Sequence, residues 1–244
     1  MQAFALSQEL SARAYLVDLD GTLICDRKPL PGAASLLGAL ADRFVLVSND
    51  SEHTPAQLAT MLARIGLRID GDRILLAGTS ALDMIARERH KPRVMLVGST
   101  ALRRYGRSLN LEITDRDPDV VLVARDRRFG FGKLTVVANA VREGAELMVA
   151  NPDLTHPGRA GSIVPETGAL MAAILACTGP VPYRVVGKPE PFLYERALEI
   201  LGVEAADAVM IGDNPRTDGA GAEALGMGYV GVKPGQPIEL PGAW

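Results

Sequence analysis

The chain has 244 residues, 48% hydrophobic and 23% charged, which is enough apolar material for one large or two modest cores and excludes a compositionally disordered protein. A net charge of -3 gives no field for nucleic acid or anionic lipid, and leaves only local groups such as Arg125, Arg127 and Arg128 as anion contacts. No apolar run approaches the ~20 residues that span a bilayer. No secretory pattern is present, and Cys25 and Cys177 match neither a metal-ligand spacing nor a disulfide framework, so a cytoplasmic protein without membrane partners is expected.

Short apolar runs rich in β-branched residues alternate with amphipathic stretches, the pattern of a parallel sheet covered by helices, and predict an α/β fold. The predicted strands are Ala14–Val17, Phe44–Val47, Arg93–Val97, Val120–Ala124, Glu146–Ala150, Tyr183–Val186, Ala208–Ile211 and Gly228–Val232. After the second, Thr54 and Gln57 form a capping box with Pro55 at the first helical position. Leu58, Met61, Leu62 and Ile65 then share one face before Gly66, so this helix should pack on the sheet. A second helix puts Leu134, Val137, Ala138 and Val141 on one stripe and stops at Gly144. A third runs from Phe192 to Leu201 and stops at Gly202.

The chemistry sits at four strand ends. The first strand runs into Asp18-Leu19-Asp20-Gly21-Thr22, and in an extended chain residues two apart point the same way, so both carboxylates are expected to emerge together. Such a pair suits a hard cation, or phosphoryl transfer in which one carboxylate attacks and the other handles a proton. A calcium loop starting at Asp18 is excluded, because the glycine comes too early and Pro29 stands where the bidentate glutamate belongs. The second strand ends in Ser48-Asn49-Asp50, whose hydroxyl and amides suit phosphate oxygens. The third motif, Gly187-Lys188-Pro189, delivers an ammonium. The fourth, Gly212-Asp213-Asn214 with Asp218 beyond, supplies further oxygen ligands.

Asp/Asp, Ser/Asn, Lys and Asp/Asp in that order resemble the haloacid dehalogenase-like hydrolase superfamily. The resemblance implies a Rossmann-like, doubly wound parallel-sheet core and a magnesium-dependent phosphatase acting on a small phosphorylated metabolite. Carried over position by position, Asp18 is the nucleophile that forms an aspartyl-phosphate and Asp20 the general acid and base. Lys188 offsets the charge of the nucleophile and phosphoryl group. Magnesium is held by Asp18, the Asp20 carbonyl and Asp213, with Asn214 and Asp218 behind them and Asp218 acting through water or on Lys188. Ser48 and Asn49 contact phosphate.

Lys188 follows Ser48 by 140 residues, whereas a βαβ crossover needs only ~30. The surplus holds at least three strand and three helix candidates, which places an inserted α/β cap at 79–183 between core segments 1–78 and 184–244. An insertion there resembles the 4-nitrophenylphosphatase-like, NagD-like branch, as do Val123-Ala124-Arg125-Asp126 leading to Phe129, Asn151-Pro152-Asp153, and Pro165 with Gly168. The chain departs from that branch at Ser48-Asn49-Asp50, where Thr-Asn-Asn is common, and at Glu166, where glycine is usual. Asn151, Asp153, His156 and Arg159 form a polar cluster assigned to the leaving group. The resemblance also leaves open a homodimer formed through the cap.

A phospho-accepting receiver domain is disfavoured, since it has no use for the insertion and phosphorylates an aspartate after a later strand. A metal-free dehalogenase would have little use for both Asp20 and Asp213. A phosphotransferase or phosphomutase using the same aspartyl-phosphate stays as the alternative, with Asp20 favouring water as acceptor.

Overall fold

The computed structural model describes residues 12–157 and 162–233. The chain divides into two compact units. The first comprises residues 12–48, 55–75 and 188–233, and the second residues 49–54 and 76–187. The short segment 49–54 belongs with the second unit because it is bonded into it: Gly78 N–H donates to the Asp50 carbonyl at 3.1 Å, and Asn151 Nδ2 donates to the Asn49 carbonyl at 2.6 Å.

In the first unit, β1 (Ala14–Val17) lies between β13 (Ala208–Gly212) and β4 (Phe44–Ser48), parallel to both. Outside these, β14 (Gly228–Gly231) flanks β13 and β5 (Ile74–Leu76) flanks β4. Every residue of β1, β4 and β13 is buried. That explains why they read as unbroken apolar runs: strands covered on both faces have no polar side. Helix Phe192–Leu201 turns Leu193, Tyr194 and Ala197 inward and packs on β1 and β4. Helix Pro55–Arg64 buries Leu58 and Leu62, with Met61 and Ile65 half-buried beside them. Each apolar side chain removed from water in this way stabilises the fold by about 1.5–3 kcal/mol.

Two antiparallel strands, β2 (Ile24–Cys25) and β3 (Lys28–Pro29), form a small hairpin after β1. Chain direction matters here. Strand order reverses at β1, with β4 on one side and β13 on the other, and open α/β sheets bind ligands at the carboxyl ends of their strands near such a reversal.

The second unit carries its own parallel sheet of β12 (Tyr183–Val185), β9 (Glu146–Val149), β8 (Val120–Val123), β6 (Arg93–Val97) and β7 (Glu112–Ile113), in that spatial order. Val121, Val123, Leu147 and Val149 of the sheet meet Val137, Ala140, Val141 and Ile174 of helices Phe131–Arg142 and Thr167–Thr178 in one apolar cluster. A second hairpin joins β10 (Thr155–Pro157) and β11 (Ile163–Pro165). Predicted strands end within one residue of the observed ones. The short strands and the small hairpins carry too little periodicity to be predicted. Among the described residues, no helix is long and apolar enough to cross a membrane.

Candidate active site

Val17 pairs with Ile211, so Asp18 and Asp213 leave the first unit's sheet from neighbouring strands, and the Asp18 N–H extends the ladder to the Ile211 carbonyl at 2.9 Å. Asp18 is buried. Lys188 Nζ donates to its Oδ1 at 2.6 Å and the Thr22 hydroxyl donates to its Oδ2 at 3.0 Å. The same ammonium donates to Asp218 Oδ1 at 2.7 Å and to the Val47 carbonyl at 2.9 Å. All three of its protons are therefore used, at a residue only 2% exposed. Burial works against this ammonium, but the Asp18 and Asp218 carboxylates outweigh it and hold its pKa above the ordinary lysine value.

Oxygens of Asp18, Asp213 and Asp218 all lie within 4.8 Å of one another. One lysine faces three carboxylates, and two of them, Asp213 and Asp218, titrate above the ordinary range. Burial, then the charges of Asp18 and Asp218, push Asp213 up to about 6. Burial likewise raises Asp218, with Lys188 pulling the other way and Asp18 reinforcing the rise. No lysine or arginine among the described residues pairs with Asp213. Asp218, by contrast, is occupied on both sides, by Lys188 at Oδ1 and by the Asn214 N–H at Oδ2 (3.1 Å). A hard divalent cation fits this set: the donors are all oxygen and the charge excess is negative.

Local backbone explains the packing of these carboxylates. Gly21 has φ +84°, and a Cβ there would collide with the Asp213 carboxylate, so only glycine serves both the turn and the close approach. The strand itself ends at Val17, and Leu19 closes the following turn by accepting from the N–H groups of Leu23 and Ile24. The side-to-side alternation of a strand therefore does not extend to Asp20. Asp18 is buried and Asp20 is exposed, so the two carboxylates meet unlike surroundings.

Ser48 is buried at the end of β4. Asn214 caps the π-helical turn Pro215–Gly219, accepting from the Arg216 N–H at 3.0 Å. Thr22, four residues beyond Asp18, reaches it with its hydroxyl only through the folded turn, so extended-strand spacing does not reveal the contact.

In the second unit, Asn49 Nδ2 donates to Asp153 Oδ2 at 3.0 Å. Asn151 is buried, and its amide also reaches Ser51 Oγ (3.2 Å) and Thr167 Oγ1 (3.3 Å) while accepting from the Asp153 N–H. His156 Nδ1 lies 2.6 Å from Glu166 Oε1. Arg125 lies between Glu166 (3.2 Å) and Glu52 (3.5 Å), and Arg127 pairs with Glu52 at 3.0 Å. Burial raises the Glu166 carboxyl, with Arg125 and His156 opposing. Arg159 lies outside the described residues.

Two family profiles match the chain, one described as haloacid dehalogenase-like hydrolase over residues 15–112 and one as HAD-hydrolase-like over residues 185–237. A dihydroxyacetone phosphatase of Corynebacterium glutamicum is 33% identical over 225 residues, covering 91% of this chain and 81% of that protein. The solved p-nitrophenyl phosphatase from Archaeoglobus fulgidus superposes with a TM-score of 0.84 at 30% identity, covering 91% of this chain and 88% of its own. Glycerol phosphate phosphatase from Mycobacterium tuberculosis, in complex with magnesium, gives a TM-score of 0.84 at 32% identity over 93% of this chain and 68% of its own.

Proposed function

Because the chain belongs to the haloacid dehalogenase-like hydrolase family, in its 4-nitrophenylphosphatase-like branch, we propose that it is a phosphoric monoester hydrolase that passes a phosphoryl group through Asp18 to water. The observation that carries this reading is the buried Asp18 carboxylate, held by Lys188 at 2.6 Å and Thr22 at 3.0 Å, with the Asp213 and Asp218 oxygens within 4.8 Å. Magnesium, when bound, would polarise the phosphoryl oxygens and neutralise the charge that builds on them, held by Asp18, Asp213 and the Asp20 carbonyl. The magnesium complex of the mycobacterial relative supports that choice of cation.

The steps belong to the chain's own groups. An Asp18 oxygen forms a bond to phosphorus as the bond to the leaving oxygen breaks, and Asp20, exposed and so open to exchange with solvent, gives that oxygen its proton. Asp20 then takes a proton from water as the water oxygen bonds to phosphorus, the acyl-phosphate P–O bond breaks, and Asp18 is regenerated. Lys188 keeps Asp18 oriented throughout, and Ser48 donates to a phosphoryl oxygen. The names of the relatives, dihydroxyacetone phosphatase and glycerol phosphate phosphatase, support a small hydroxylated phosphomonoester as substrate.

Phosphate release from 4-nitrophenyl phosphate and from a panel of triose, glycerol and hexose phosphates tests this, with and without magnesium. Asp18→Asn should lower turnover by roughly 10⁵-fold or more, as loss of a covalent nucleophile does. Magnesium-independent turnover, or near-parental activity in that variant, would overturn the reading.

A further inference from the structure

The loop that follows β13 carries both Asp213 and Asp218, and two tyrosines from elsewhere in the chain grip its backbone. Tyr194, fully buried on helix Phe192–Leu201, donates its hydroxyl to the Thr217 carbonyl at 2.8 Å, with the Asp218 carbonyl at 3.5 Å. Tyr229, half-buried on β14, donates to the Gly212 carbonyl at 3.2 Å. Gly212 immediately precedes Asp213 and Thr217 immediately precedes Asp218. Each phenol therefore pins the peptide unit from which one carboxylate springs.

Both rings pack closely against glycines. A Cβ on Gly221 would collide with the Tyr194 ring, and one on Gly219 would stand 3.0 Å from Tyr229 Cε1. Packing alone would be served by phenylalanine, because a buried hydroxyl costs free energy unless it is bonded. Burial raises both phenols, Tyr229 to about 12, and the nearby carboxylates push the same way, so both remain protonated donors. The segment they hold is a π-helical turn, Pro215–Gly219, a rare conformation that concentrates at functional sites. The carboxylates it carries repel one another across less than 4.8 Å. An untethered loop would let them part, and a cation site needs its ligands held to fractions of an ångström.

We propose that Tyr194 and Tyr229 are positioning residues, whose hydroxyls hold the Thr217 and Gly212 carbonyls and thereby fix the cation ligand Asp213 and, behind it, the Asp218 carboxylate that anchors Lys188. This rests on the cation site of the proposed function. Residues that orient metal ligands from behind typically change metal affinity 10- to 100-fold when altered.

The test is equilibrium Mn²⁺ binding followed by electron paramagnetic resonance on the substrate-free protein, with Asp213→Asn as the control and circular dichroism in EDTA as the check of fold. Tyr194→Phe and Tyr229→Phe should each weaken Mn²⁺ binding by about 10-fold, with the magnesium concentration for half-maximal phosphate release rising in step and turnover at saturating magnesium within about three-fold. A merely structural role would lower stability in EDTA without moving the Mn²⁺ affinity. Folded variants that bind Mn²⁺ within two-fold of the parent, while Asp213→Asn abolishes binding, would overturn the positioning role alone. A parent protein that binds no Mn²⁺, or an Asp213→Asn variant that binds like the parent, would overturn the cation site and this inference with it. Should Tyr194→Phe fail to fold, the half-buried Tyr229→Phe decides.

Discussion

The two units hold polar groups in their interiors on opposite principles. In the first, one ammonium faces three carboxylates, and burial, reinforced by the neighbouring carboxylate charge, raises Asp213 and Asp218. In the second, the Asn49, Ser51, Asn151 and Thr167 network is neutral, and Arg125 and Arg127 answer Glu52 and Glu166. Buried polar groups that stabilise a fold are satisfied within it, whereas a buried imbalance costs stability and persists where a ligand completes it. In the first unit the carboxylates outnumber the cation beside them, whereas in the second each of Glu52 and Glu166 has an arginine of the same unit beside it.

That contrast breaks most sharply at Lys188. Lys188→Met leaves Asp18 and Asp218 buried against each other, and breaking a buried pair from one side costs about 3–5 kcal/mol. The loss should be largest in EDTA and partly recovered in magnesium, since binding to the folded form stabilises it by mass action. Chemical denaturation at both conditions reads this. Equal losses with and without magnesium would mean that the carboxylates do not depend on a cation, and the contrast between the units would fall.

A smaller effect is expected at Asn151, from the opposite side of the comparison. Asn151→Ala removes an amide shared among the Asn49 carbonyl, Ser51 Oγ and Thr167 Oγ1, and leaving such acceptors buried and unmet costs about 1–3 kcal/mol. Magnesium should restore none of it. Hydrogen–deuterium exchange should quicken at residues 49–51 and at the start of helix Thr167–Thr178, with residues 14–17 unchanged. Recovery in magnesium would show that the network belongs to the cation site.

The first unit's site was far more legible in the sequence than the second's. Asp18 and Asp213 follow apolar strands that are recognisable because they are covered on both faces, so position alone marks them, whereas Lys188 follows the largely exposed β12 and is marked by its Gly187-Lys188-Pro189 setting. Helix Ala77–Glu88 has no sequence signature for a related reason. It buries Ala77 through Leu82 with Met84 and Ile85, so no single apolar stripe stands out. The tyrosines were invisible because hydroxyls bonded to carbonyls leave no residue pattern: Tyr194 meets Thr217 across 23 positions. Glu166 was noticed only as a departure from the family, and its partners Arg125 and His156 required the folded unit.

The smallest effect concerns His53 and Asp50, a pair within the second unit whose ring nitrogen and carboxylate are 2.7 Å apart. The hydrogen bond to Asp50 raises His53 above its ordinary 6.5, against burial and with help from the Asp50 and Glu52 charges. Burial works to raise Asp50, but the bonds and charge from His53 leave it below 3.8. A histidine raised on folding stabilises fully below 6.5, and that contribution is lost as pH rises through the folded value. A carboxylate lowered on folding stabilises above 3.8, and that contribution is lost as pH falls through its folded value. The pair therefore contributes most between those limits. The second unit's stability should decline on the alkaline side, and His53→Gln should remove that part of the slope while leaving Mn²⁺ binding unchanged. An unchanged slope would mean that the pair adds nothing to the unit, and a changed Mn²⁺ affinity would mean that the two polar systems are not independent.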